Sequence, residues 1–112
     1  MNFNAKNVTF LTGSSKLTKQ AKSELDELVI ILNKYPKLGI NIGGHTDNTG
    51  KADKNLALSQ TRADEVKKYL VEKGITEDRL TATGFGQDKP LGDNSSAAGR
   101  ALNRRVEFGV RN

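Results

Sequence analysis

"LGINIGGHTDNTG", residues 38–50, is the stretch on which the reading of the fold turns. Leu38, Ile40 and Ile42 alternate with small or polar neighbours, the period-two pattern of a strand that buries one face. Two glycines follow, then the chain's only histidine and an aspartate. The strand therefore delivers its C-terminal end into a short polar loop at residues 45–50, where backbone can approach a partner without side-chain bulk.

Upstream, Val8 and Phe10 alternate with polar residues and predict a short first strand ending in a turn at residues 13–15. Thr18 is placed to cap a helix whose apolar positions, Ala21, Leu25, Leu28, Val29 and Leu32, recur every three or four residues on one face. Pro36 ends it. Downstream, a second helix is expected over residues 54–73, with Ala63, Val66 and Leu70 inward, Gly74 as C-terminal cap and Arg62 in its first half. Residues 80–84 read as a third strand. "GFGQDKPLGDNSSAAG", residues 84–99, is a turn-rich connection with room for a short helix. Val106, Phe108 and Val110 alternate in a last strand, preceded by Arg104 and Arg105. The order β-α-β-α-β-β predicts an α/β two-layer sandwich, a small mixed sheet with both helices packed on one face.

The 112 residues, 35% of them hydrophobic, are enough for one domain spanning 1–112 and short for two. No apolar run approaches the roughly 18 residues of a membrane span, and no signal-like segment opens the chain. Any membrane attachment is expected through a segment outside it. The net charge of +5 would suit an anionic partner. The lysines, however, are interleaved with Glu24, Asp26, Glu27, Glu65 and Glu72, as on solvated helix faces. With few aromatic residues to stack on bases, nucleic acid is not the expected partner.

The residues offer little for catalysis. There is no cysteine, the serines lack a nucleophile-elbow pattern, and one histidine beside one aspartate is not a metal-ligand set. "GGHTDNTG" does not match a phosphate-cradling loop. No catalytic residue, metal or cofactor is expected. His45 reads as a strand-end residue satisfied by backbone hydrogen bonds. Asp47 and Arg62 are the more informative pair, because the loop feeds directly into the helix that carries the arginine. Local reasoning leaves two possibilities open: a salt bridge that shapes the loop, or two groups facing one cleft.

The ordered pieces "VTFLTGSSKLT", "GHTDNTG", "NLALSQTRADEVKKYLVEKGI", "TATGFGQDKPLGDN" and "GRALNRRVEF" resemble the peptidoglycan-binding domain of the OmpA-like family, over nearly the whole chain. That family is shared by outer-membrane proteins, peptidoglycan-associated lipoproteins and flagellar stator proteins. The resemblance implies non-catalytic binding of peptidoglycan through the meso-diaminopimelate of its peptide stem. It also implies a periplasmic location, as a domain of an outer-membrane or envelope-anchored protein. Asp47 matches the position that would accept from the ligand ammonium, and Arg62 the one that would grip its carboxylate. Asn55 matches a hydrogen-bonding position that could equally cap the helix, while Leu58 and Phe10 match walls of the cleft. His45 and Thr46 are carried over as supporting residues that hold the loop, Thr49 as a further supporting residue, and Arg104 and Arg105 as supporting residues that either steady the site from the last strand or face the glycan. Gly43 and Gln87 depart from the acidic residues frequent in the family, at positions expected not to touch the Asp47–Arg62 pair. The rival readings are a basic nucleic-acid-binding domain and a protein-interaction module that has lost wall binding; oligomeric state is not legible.

Overall fold

A computed structural model describes Phe10 and residues 14–111; apart from Phe10, the expected first strand, with Val8, lies outside the described residues. The elements are α1 (Lys19–Lys34), β1 (Gly39–Gly44), α2 (Ala52–Glu72), a 3-10 turn (Glu77–Arg79), β2 (Leu80–Gly84), α3 (Ala97–Asn103) and β3 (Val106–Arg111).

Helix α1 begins where the capping chemistry predicts: Thr18 Oγ1 accepts the Ala21 N–H at 3.0 Å. Its Ala21, Leu25, Leu28 and Leu32 are buried, whereas Val29 lies at the margin of the stripe and is half-buried. The far end is held by Arg79, which the sequence reading overlooked. Its Nη2 donates to the carbonyls of Leu32 and Tyr35, and its Nε to that of Leu38. Carbonyls that a helix end leaves without intrahelical donors thereby find a partner.

Among the described residues the sheet has the order β2-β1-β3, with β1 parallel to β2 and antiparallel to β3. Ile40 pairs with Leu80 and Val110, and Ile42 with Ala82 and Phe108. From these rows Ile40, Ile42, Leu80 and Phe108 meet Leu25, Leu28 and Leu32 of α1 and Ala63, Val66 and Leu70 of α2 in one hydrophobic core, with Ala82 packed against it. The opposite face holds Asn41 between Thr81 and Gly109, and Gly43 between Thr83 and Glu107.

Helix α2 starts at Ala52, two residues earlier than the spacing predicts, and Gly74 follows it with φ +100°. Two glycines set how closely it approaches the sheet. A Cβ on Gly44 would stand 2.2 Å from the Ser59 carbonyl oxygen, and one on Gly84 would stand 2.4 Å from the Gln60 nitrogen. Backbone thus packs on backbone. Ser59 Oγ donates to Leu56 O and accepts from Gly86 N–H, while Gln60 bonds Ala82 O and Gly84 N–H. These ties fix α2, and with it Arg62, against the C-terminal ends of β1 and β2. Segment 91–94 is fastened to α3 in a similar way, since buried Asn103 accepts from Leu91 and Gly92 N–H and donates to Gly92 O and Asn94 Oδ1.

Candidate functional site

The loop after β1 is bound on both sides. His45 N–H donates to Arg105 O and Thr46 N–H to Gly86 O, each at 2.9 Å. Thr46 Oγ1 donates to Asp47 O at 2.8 Å, and Thr49 N–H donates to Asp47 Oδ1 at 2.9 Å, a side-chain-closed turn typical of aspartate. Gly50, at φ +87°, then redirects the chain into α2. Asn55 is not a helix cap: that position belongs to Lys51, which makes no side-chain cap bond. From inside the first turns of α2, Asn55 Nδ2 reaches Asp47 O (3.3 Å), Thr49 O (3.1 Å) and Gln87 Oε1 (2.8 Å). Gln87 is therefore linked to the loop's main chain through the Asn55 amide.

The Asp47 carboxylate is 4% exposed, and its ion-pair partner is Arg104, Nη1 to Oδ2 at 2.7 Å. Burial pushes its pKa up, but the Thr49 N–H and the Arg104 guanidinium more than offset this, so the carboxyl sits below its ordinary range. Arg62 is 1% exposed. Its Nε donates to Ser14 O at 2.9 Å and its Nη1 to His45 O at 3.3 Å, with the guanidinium carbon 5.0 Å from the centre of the Phe10 ring. Burial lowers its pKa to about 10 against the pull of Asp47, which leaves it cationic at neutral pH. Thr46, Asp47, Thr49, Asn55, Leu58, Arg62 and Arg104 line one pocket of about 90 Å³. Asp47 and Arg62 thus face one cleft, and the ion pair that shapes the loop is made with Arg104.

Three expected residues stand elsewhere. Phe10 does not line the pocket; its buried ring lies against the Arg62 guanidinium. Arg105 points away from the pocket, as successive residues entering a strand do, with Nε 2.8 Å from Glu107 and Nη2 2.9 Å from Lys89 O. The His45 ring lies on Phe85, with centroids 5.3 Å apart, and its Nε2 is 3.6 Å from Glu107. Burial first, then Arg105, lowers its pKa to about 4 despite Glu107. The imidazole is therefore neutral at pH 7, and its contact with Glu107 is not an ion pair. The backbone of His45 is satisfied as expected, but its buried Nδ1 has no hydrogen-bond partner among the described residues.

A family model described as the OmpA family matches residues 9–104. This chain belongs to the OmpA family. It is 42% identical over 102 residues to the probable lipoprotein YiaD of Escherichia coli, covering 91% of this chain and 47% of that protein. It is 40% identical to outer membrane porin F of Pseudomonas fluorescens, over 92% of this chain and 32% of the porin. The chain thus spans less than half the length of these relatives. The crystal structure of the peptidoglycan-associated lipoprotein from Burkholderia pseudomallei superposes with a TM-score of 0.88 at 31% identity, covering 93% of this chain and 88% of that one. The C-terminal domain of Helicobacter pylori MotB superposes with a TM-score of 0.87 at 28% identity, covering 94% and 83%. The two-layer α/β fold expected from the sequence is that of these OmpA-like domains. The relatives include outer-membrane proteins and the periplasmic domain of Helicobacter pylori MotB, so the expected envelope location stands. Among the described residues no helix is long and apolar enough to cross a membrane.

Proposed function

We propose that residues 1–112 of this OmpA-family protein form one domain that binds peptidoglycan without catalysis, through the diaminopimelate of the peptide stem, and so holds an envelope protein to the wall. The observation that carries the reading is one buried carboxylate, Asp47, sharing a small pocket with two guanidiniums, Arg62 and Arg104. Diaminopimelate ends in an amino-acid centre bearing ammonium and carboxylate. Asp47 already accepts from Thr49 N–H and Arg104, and a carboxylate has about four acceptor sites, which leaves room for an ammonium. Arg62 takes the ligand carboxylate in a planar, charge-assisted contact that lysine would not reproduce. The pocket volume suits that one end of the ligand rather than a whole stem peptide. The solved relative at 31% identity is a peptidoglycan-associated lipoprotein, which supports the polymer assignment.

The free amino acid has about thirteen heavy atoms, so at roughly 0.3–0.5 kcal/mol each it binds with about 4–6 kcal/mol. This corresponds to about millimolar to tens of micromolar affinity. Many stems on one polymer turn such weak contacts into a firm hold. Co-sedimentation with purified wall sacculi tests the reading: the domain pellets with diaminopimelate-containing walls, and neither Asp47→Asn on those walls nor wild type on lysine-containing walls pellets comparably. Equal pelleting on both wall types, or none on either, would remove the assignment.

A further inference from the structure

The face of the sheet turned away from the helices carries a second cleft, and we propose that it binds a short run of sugar residues, the glycan strand of the polymer whose stem enters the Asp47 pocket. The proposal rests on the peptidoglycan reading above and adds a site to it. Two glycines make this face concave: Gly43 on β1 lies beside Thr83 and Glu107, and Gly109 on β3 lies beside Asn41. Phe85 leans over Gly43, where a Cβ would meet its ring at 3.0 Å, whereas a Cβ on Gly109 would meet nothing within 4 Å. The resulting cleft holds about 450 Å³, several times the Asp47 pocket, and Asn41, His45, Phe85, Lys89 and Glu107 stand around its glycine floor.

The chemistry of this lining selects among partners. An amide, a carboxylate, an ammonium and an imidazole surround the floor, with the exposed hydroxyl residues Thr81 and Thr83 on the neighbouring strand. Donors and acceptors are mixed and close-set. Among the described residues Glu107 is paired with Arg105, so Lys89 stands as a single cation, too few for a polyanion, and the exposed part of the face has no large aliphatic side chain to receive an apolar helix. A sugar fits both facts: it carries hydroxyl and amide groups that donate and accept, and it carries no net charge. Phe85 adds an apolar ring to the wall, with Lys89 Nζ 4.3 Å from its centre and the His45 ring stacked on it at 5.3 Å. Beside the cleft, His45 Nδ1 and Arg105 Nη1 are buried without a hydrogen-bond partner among the described residues. Buried nitrogens left unmatched in this way call for an explanation, and a hydroxyl-rich ligand repacking the Phe85–His45 wall supplies one.

Continuity with the first site gives the occupant its identity. His45 lines the cleft, whereas Thr46 and Asp47, next in the chain, line the pocket. The Cα atoms of His45 and Asp47 are no more than about 7 Å apart. A polymer in which a peptide branches from a sugar can engage both sides of this loop at once, and two weak contacts then reinforce each other.

The test is a two-dimensional NMR titration of the labelled domain, first with a peptide-free N-acetylglucosamine oligomer and separately with meso-diaminopimelate. Gly109→Val fills the cleft where there is open space, and valine suits a strand interior better than glycine, so the variant folds. The expected result is saturable oligosaccharide shifts at Asn41, Gly43, Glu107 and Gly109, weakened at least about tenfold in Gly109→Val, with diaminopimelate binding unchanged. Diaminopimelate binding without sheet-face shifts at about ten millimolar oligosaccharide, or equal sugar binding in the variant, would overturn the glycan cleft and leave the stem reading intact. Sheet-face shifts without any response to diaminopimelate would keep the cleft and remove the stem reading.

Discussion

Arg104 Nη1 stands 2.7 Å from Asp47 Oδ2, joining the entrance of β3 to the loop that leaves β1. The carboxylate is therefore held in place before any ligand arrives, with Thr49 N–H on its other oxygen. Arg104→Ala leaves a nearly buried charge short of its partner. Because Arg104 is itself 22% exposed, the expected loss is about 1–3 kcal/mol rather than the full cost of breaking a buried pair. Urea denaturation measures it, and Arg104→Lys should recover only part of the loss. An unchanged midpoint in Arg104→Ala would show that the pair does not hold the loop.

The close approach of α2 to the strand ends depends on glycine. Gly44→Ala would put a Cβ 2.2 Å from a backbone oxygen, and Gly84→Ala would put one 2.4 Å from a backbone nitrogen. Neither neighbour can turn aside as a side chain would. Each substitution is expected to cost at least about 3 kcal/mol, whereas Gly109→Ala, facing open space, should be neutral or slightly stabilising. Thermal unfolding of the three variants checks this, and similar transitions for all three would contradict the packing.

His45 makes stability depend on pH. Its pKa is 6.5 in an unfolded chain and about 4 in the fold, so between these values the unfolded state binds more protons. Stability is complete above pH 6.5 and declines as pH falls toward 4, by roughly 3 kcal/mol over the window. Asp47, with its depressed pKa, contributes in the same direction only at lower pH, below the carboxyl's ordinary value of 3.8. Unfolding free energies measured across this range should fall for the wild type and be nearly flat for His45→Gln. Parallel slopes would place the titration elsewhere.

Much of the fold was legible because its signals are local. The Thr18 cap, the stripe of Leu25, Leu28 and Leu32, and the alternation of Ile40 with Ile42 and of Val106 with Phe108 each follow from spacing along a single element. What escaped depends on contacts between distant segments. Arg79 carries no pattern that announces its bonds to the end of α1, some forty residues away. Asn55 looked equally suited to a cap, and only the folded loop shows its amide reaching Asp47, Thr49 and Gln87. Gln87 stood out as a departure from the family pattern, but its link to the site runs through that amide. Arg104 and Arg105 were read as one supporting pair, yet strand alternation sends the first into the pocket and the second to the opposite side. The one signal available for that split was the parity of their positions ahead of Val106.

Recognition of a diaminopimelate end by Asp47 and Arg62 is tested most directly by an NMR titration of the labelled domain with meso-diaminopimelate and with Nα-acetyl-L-lysine amide. The blocked lysine keeps its side-chain ammonium but has no free amino-acid centre and no carboxylate. Saturable shifts with diaminopimelate are expected at Asp47, Thr49, Asn55 and Arg62 in the range of about millimolar to tens of micromolar. The blocked lysine should bind at least about tenfold more weakly, and the response should be lost in Asp47→Asn, since removing one partner of a desolvated ion pair costs about 3–5 kcal/mol. Equal affinity for the two ligands, or unchanged binding in Asp47→Asn, would contradict this recognition.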